Sequence, residues 1–388
     1  MSGGSVEPDL CASLPPVYDP KMEHSTLARI RPSLRACVAL ALLGLLSVST
    51  APAHDVVAEL TRVASELVAT VETSPARIPM QLSYSLEDPQ RRVVDCCPAM
   101  VGAERPGLTY GLMPLDQRRA THAVLRTFLS DGGYLLVHAI RGLEDTLRTT
   151  ATGVGLVRMS DAYRVQLFGT PANDSAWGFK FEGHHLSVNT TVADGQFRGT
   201  PLFLGANPAE VRAGPHAGVR VLATQQDVAR DLVLSLSAAQ RSTAIVGDRS
   251  DGGGLQPGPL PDVPAIRGLS ASRMEPAQRV RLKTLIASFA NVFRPEIARA
   301  ELDRVEAAGL ETLVFEWRGS TDPGMPYSYR IQGSTVLIEV DVIEDEPGAG
   351  ANHVHAQWRD PQRDFGDDLI GEHLERDHAD RPDDPRRP

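Results

Sequence analysis

The chain carries two related passages, and a fold that accommodates it must accommodate both. "GLTYGLMPLDQR" at 107–118 and "GLSASRMEPAQR" at 268–279 share Gly, Leu, Met, Gln and Arg at equal spacing. Each is followed by apolar residues at helical intervals: Val124, Leu125, Phe128 and Leu129 after the first, and Val280, Leu282, Leu285, Ile286 and Phe289 after the second. Further along, "WGFKFEGHHLSVN" at 177–189 aligns with "YSYRIQGSTVLIE" at 327–339, which sets Gly183 on Gly333. Both read as β-hairpins whose two-residue turns open on glycine, Gly183-His184 and Gly333-Ser334. In that register Glu182 pairs with His185, Phe181 with Leu186 and Phe179 with Val188. The second hairpin then pairs Ile331 with Val336 and Tyr329 with Ile338, so one side of each is apolar.

These patterns predict an α+β protein of two related halves, each with helices packed on an antiparallel sheet. The first half spans 54–250 and the second 265–374, with "DGGGLQPGPLPDVP" at 251–264 as a Gly/Pro-rich linker. Gln225 to Val246 reads as one helix. From 375 to 388 there are too few apolar residues to pack, and a disordered tail is expected.

Residues 1–53 read as a leader and signal peptide. Arg29, Arg31 and Arg35 precede an apolar run from Ala36 to Val48, and Ala51-Pro52-Ala53 is a small-residue cleavage site before His54. Met22 offers an alternative start to Met1. The run is shorter than the roughly 20 apolar residues of a membrane span. The expected product is therefore periplasmic or extracellular, without an integral membrane span after cleavage. Of the four cysteines only Cys96 and Cys97 follow the cleavage site. Neighbours in sequence cannot staple distant segments, so the fold must rest on its core. The net charge of −10, with Lys21, Lys180 and Lys283 as the only lysines, supplies no cationic stripe for nucleic acid.

The chemistry concentrates on histidine. His184 and His185 sit at the first hairpin turn beside Glu182, whereas the second hairpin has Ser334 and Thr335 there. "NHVHAQWRD" at 352–360 places His353 and His355 on one face of an extended strand, with Val354 on the other. Packing of the two halves about a pseudo-twofold would bring His184 or His185 to the His353/His355 pair. A carboxylate from Glu182, the preferred one, Asp341 or Asp360 would complete a site for a divalent ion, with zinc, copper, iron and nickel all suited to such ligands. Two alternatives stay open: a buried seam of hydrogen-bonded imidazoles, and a metal-free acid/base site.

Elsewhere, His138 reads as a core histidine, His122 and His216 as surface or loop residues, and His373 and His378 as lying near a mobile end. Asn189 and Asn173 open glycosylation triplets. Trp317, Tyr327, Tyr329 and Trp358 are candidates to line a cleft. Elbow, P-loop and zincin motifs are absent from the sequence.

The stretches "WGFKFEGHHLSVN", "TPLFLGANPAEV" at 200–211, "YRIQG" at 329–333 and "ANHVHAQWRDPQRDFGDDL" at 351–369, with "RPGL…QR" at 105–118, resemble the domain of unknown function 3500 family. The resemblance implies an exported protein and covers most of the chain after the leader. It also implies a histidine before the paired tyrosines of "YYRIQG", where this chain has Pro326-Tyr327-Ser328-Tyr329, and an Asn-containing turn where it has "VDVIEDEPGAG". His184, His185, His353 and His355 stand in the matching motifs. Two functions fit this reading: a metal-dependent hydrolase or oxidoreductase acting on a small molecule, or a non-catalytic envelope protein that binds a metal or small ligand.

Overall fold

Ten strands run in the order β1-β3-β4-β5-β7-β13-β12-β11-β10-β8 across one mixed sheet, with three short strands attached beside them. The structure is a computed structural model and describes residues 56–75, 80–94, 106–150, 160–247, 264–345, 348 and 350–379. These belong to one compact unit, His54–Pro388. The leader, Cys96 and Cys97, linker residues 251–263 and tail residues 380–388 lie outside the described residues. Among those described, no helix is long and apolar enough to cross a membrane.

The first part of the sheet comprises β1 (Ser83–Tyr84), β2 (Leu108–Thr109), β3 (Arg164–Gly169), β4 (Trp177–Gly183), β5 (Leu186–Ala193), β6 (Gln196–Arg198) and β7 (Leu202–Ala206). Then come β8 (Ile245–Gly247), β9 (Leu269–Ser270), β10 (Val314–Gly319), β11 (Tyr327–Gln332), β12 (Leu337–Ile343) and β13 (His353–Arg359). Strands β7 and β13 pair antiparallel at the middle. Outward from them, β5 and β12 follow, then β4 and β11, then β3 and β10. At the two edges β1 runs parallel to β3 and β8 parallel to β10.

Seven of the eight helices described pack into the core on the apolar face, and the last packs on the other face. In chain order the eight are α1 (Val56–Glu72), α2 (Leu115–Phe128), α3 (Asp131–Thr150), α4 (Ala223–Ser235), α5 (Ala238–Ala244), α6 (Pro276–Ala290), α7 (Pro295–Ala307) and α8 (Asp367–Ala379). Leu60, Val63, Ala64 and Leu67 form the buried stripe of α1, and Leu282, Leu285, Ile286 and Phe289 that of α6. Val280 falls outside its stripe and is 62% exposed. The single helix expected over 225–246 is two helices and a strand. Ser237 caps α5, its hydroxyl accepting from Gln240 N while the Gln240 side chain accepts from Ser237 N, so a new helix starts there. Helix α8 runs to Ala379, past the boundary placed at residue 375, because Leu369 and Ile370 bury against Ala176 and Ala193. His373 is buried there and meets Asp194 at 3.2 Å.

Both hairpins form, and both close later than the sequence placed them. Gly183 pairs with Leu186 and Glu182 with Ser187, so the turn is His184-His185; Gly333 N donates to Val336 O, so the second turn is Ser334-Thr335. The partner shifts by two residues, which preserves the faces: Phe179, Phe181, Leu186 and Val188 all remain in the core. The glycines serve close packing instead of turn geometry. A Cβ on Gly183 would lie 2.7 Å from the Tyr163 ring, and one on Gly333 would collide with Leu313. Gly183→Ala is expected to lower stability by roughly 1–3 kcal/mol through overpacking, read as a lower urea midpoint with an unchanged circular dichroism spectrum.

Candidate metal centre

The centre lies at the end of the sheet's middle strands. Asn352 ties the start of β13 to the segment after β7: its carbonyl accepts from Ala209 N at 2.6 Å and its side-chain oxygen from Glu210 N at 2.8 Å. Extended backbone then turns His353 and His355 to one face while Val354 enters the core. His185 arrives from the β4–β5 turn with φ of 64°, an uncommon conformation for a residue with a Cβ. Gly205 N donates to His185 O at 2.7 Å, and the bare Gly205 Cα leaves room for the imidazole. A Cβ there would come within 2.9 Å of His185 Cδ2. Gly205→Ala is therefore expected to displace the ring and weaken metal uptake at least tenfold by equilibrium dialysis, with the fold retained.

Three ring nitrogens converge. His185 Nε2 lies 2.9 Å from His353 Nε2, which lies 3.0 Å from His355 Nε2. Tetrahedral zinc with bonds of about 2.0–2.1 Å sets its nitrogens about 3.3 Å apart, so a few tenths of an ångström of outward motion would admit an ion. Behind His353, Nδ1 meets Asp345 Oδ1 at 2.6 Å, and Asn207 Nδ2 donates to Asp345 Oδ2 at 2.9 Å. A carboxylate holding the far nitrogen fixes the tautomer that leaves Nε2 free to ligate. Burial, followed by the neighbouring His353 and His184, pushes the His355 pKa down to about 3. At neutral pH that imidazole keeps a lone pair, the form a metal requires.

His184 stacks on His185 at 3.7 Å between ring centroids, and its Nδ1 lies 2.5 Å from Glu144 Oε1 on α3. Thus all four predicted histidines come together. Glu182 stays apart from this cluster: in its true register it pairs with Ser187, whose hydroxyl donates to its Oε2 at 2.9 Å, and Lys180 Nζ stands 3.9 Å away. Asp341 faces His355 across β12 and β13 in the ladder, while Asp360 pairs with Arg304 at the far end of β13. Among the described residues, the carboxylates that meet histidines of this cluster at hydrogen-bond distance are Asp345 and Glu144. Sequence reasoning missed both.

A family model described as a protein of unknown function, DUF3500, matches residues 53–367. The chain belongs to the DUF3500 family. No curated protein and no solved structure matches it. The DUF3500 match contains every residue of the histidine cluster and ends at the first residue of α8.

Several of the other candidates of this DUF3500 chain are buried or tied into hydrogen bonds. Of Trp317, Tyr327, Tyr329 and Trp358, only Tyr329 borders a described cavity, a small one among the polar side chains of β10 to β12. All four are buried, with Trp317 stacked on Tyr327 at 4.6 Å. Asn189 is buried and donates to Ser187 Oγ and Pro201 O, out of reach of a glycosyltransferase, whereas Asn173 is exposed on a turn. His216 is an exposed loop residue, and His378 has no described side chain. His122 is no surface residue: half-buried, it joins Tyr110 OH at 2.8 Å to Tyr134 OH at 2.9 Å.

His138 is only partly buried, with its ring 4.9 Å from that of His122 and Arg141 Nη1 3.3 Å from its Nδ1. Burial, then Arg141 and His122, lowers its pKa from 6.5 to about 4. The folded protein thus binds this proton less readily than the unfolded chain. The stability present above pH 6.5 falls as the pH drops through about 4. After discounting for solvent, His138→Gln should recover roughly 1–2 kcal/mol at pH 4 relative to pH 7, measured as the difference in urea midpoints between variant and wild type.

Proposed function

We propose that this DUF3500 protein is an exported metal-dependent enzyme whose divalent ion is held by His185, His353 and His355. The observation that carries the reading is the convergence of three Nε2 atoms, with Asp345 orienting the central ring from behind. Three protein ligands leave a fourth position for water or a substrate oxygen. That is the arrangement of a catalytic rather than a closed structural site. The ion, when bound, supplies Lewis acidity toward a carbonyl or phosphoryl oxygen, or redox chemistry where it is copper or iron. The chain's own groups hold it: two imidazoles rigidly from one strand, and the third from a turn fitted over Gly205.

The reading includes an internal duplication. The mirrored strand order about β7 and β13, the parallel edge strands β1 and β8, and the two equally shifted hairpins support it. It also includes export with cleavage after Ala53, which rests on the leader's charge and hydropathy pattern. Elemental analysis of the secreted protein, purified without chelator, tests the centre. About one equivalent or more of zinc, copper, iron or nickel is expected, on a chain beginning at His54. Folded protein that neither carries nor takes up any of these metals would sink the proposal.

A further inference from the structure

A cavity of about 490 Å³ lies between α3 and the loop that follows β7, within the size range of small-molecule pockets. Gly142, Asp145 and Thr146 line it from the helix, and Val211, Pro215 and His216 from the loop. Both walls are continuous with the metal centre. Glu144, which meets His184, lies between Gly142 and Asp145 in the helix, so along the helix axis the cavity lies within one turn, about 5 Å, of that residue. In the loop, Asn207 donates to Asp345 beside His353, and the chain reaches Val211 four residues later. The loop then closes, with Gly218 N donating to Val211 O at 2.7 Å and Val211 N to Val219 O at 3.0 Å. Gly142 stands in the interior of a 20-residue helix, where glycine is among the weakest helix formers. Packing does not require it, since a Cβ there would meet nothing within 4 Å. What the missing side chain keeps is open space on the cavity wall. The charge of that wall is matched locally: the Asp145 carboxylate accepts from Ser160 Oγ at 3.1 Å and lies 3.6 Å from Arg148 Nη2. Among the described residues that line the cavity, none is lysine or arginine.

We propose that this cleft seats the substrate of the metal centre, an uncharged and largely apolar small molecule whose oxygen head group reaches the ion at His185, His353 and His355. The inference rests on the reading of that site as a metal centre. The bare backbone of Gly142 lets the body of such a molecule lie close against α3, and Val211 and Pro215 give it aliphatic contact from the loop. A carboxylate or phosphate on that body would give up hydration without meeting a cation on the wall. A cationic body gains little, because Arg148 already stands at Asp145. His216, on the exposed part of the loop, offers a ring nitrogen to one polar group of the body.

The test uses the full chain, stripped with chelator and reloaded with cobalt(II), whose visible absorption reports a new ligand on a histidine-held ion. The probes are aliphatic hydroxamic acids from acetyl to hexanoyl, uncharged in solution and metal-binding through oxygen, with cobalt retention checked by elemental analysis. Affinity is expected to rise roughly fourfold per added methylene. Adipic acid monohydroxamate, the hexanoyl chain ending in a carboxylate, should lose most of that gain. Gly142→Leu, whose side chain would fill the cavity, should take up cobalt and bind acetohydroxamic acid as wild type does, yet show no gain with chain length. Gly142→Ala should keep the gain and resist urea better, which separates blocking from a change in helix stability. A flat series in wild type, or an undiminished gain in Gly142→Leu, overturns the cleft and leaves the metal centre standing. An equal gain for the carboxylate-ended chain overturns the uncharged class. A wild type that takes up no cobalt overturns the metal centre and this inference with it, a failure seen before any hydroxamic acid is added.

Discussion

His355→Ala and His353→Ala are each expected to weaken metal binding at the three-imidazole site on the order of a hundred- to a thousand-fold. Structural zinc sites contribute about 10–16 kcal/mol over their ligands, so one imidazole accounts for roughly 3 kcal/mol. Either ring lies on a strand paired on both sides, and alanine in its place keeps the β12 and β7 ladders. The fold should therefore survive. Asp345→Asn leaves all three nitrogens present and weakens only the hold on His353 Nδ1, so its effect should be smaller, about 10- to 100-fold. Glu182→Gln provides the contrast. That carboxylate is committed to Ser187, and its loss should leave metal affinity unchanged. Competition against a chromogenic chelator measures all four variants, and equal behaviour of Asp345→Asn and wild type would remove the carboxylate from the centre.

The parts of this centre that sequence made legible are those governed by local periodicity. Alternation along β13 determines that His353 and His355 share a face whatever the strand pairs with, and apolar alternation fixes the inner face of both hairpins despite the shifted register. The turn itself was obscured because glycine usually marks the strained position, whereas here the positive φ falls on His185 and Gly183 is glycine to admit Tyr163. Glu182 was favoured on that displaced register. Glu144 lies 40 residues from His184 in the chain, on a helix whose apolar stripe says nothing about where its polar side chains end. Asp345 follows β12 in an acidic stretch that offers no spacing rule. Its relation to His353 depends on the bend that brings β12 back as β13. In each case the missing information was the meeting of distant elements, which no residue type in isolation encodes.

Phe128→Ala should destabilise the protein by about 3–5 kcal/mol and should do so across the whole described chain in one transition. The ring is fully buried where the corner between α2 and α3 meets the corner between α6 and α7. Its centroid lies 6.2 Å from Phe179, 6.0 Å from Phe197 and 6.4 Å from Phe293, and Phe293 in turn lies 6.2 Å from Trp358 on β13. The backbones of the two corners are joined as well: Arg294 N donates to Phe128 O at 2.9 Å, and Ser130 N to Val292 O at 3.0 Å. Gly133 permits this approach, since a Cβ there would overlap the Val292 carbonyl. Together with the β7–β13 ladder, these contacts leave neither half of the chain a complete core or a closed sheet edge of its own. Residues 54–247 alone would expose β7 as a bare edge and leave Phe128 without Phe293, so that fragment should fail to fold. Calorimetry and near-ultraviolet circular dichroism should report a single coincident unfolding transition, shifted down by Phe128→Ala. Two separate transitions, with Phe128→Ala moving only one of them, would mean that the seam between the halves contributes little to holding the sheet together.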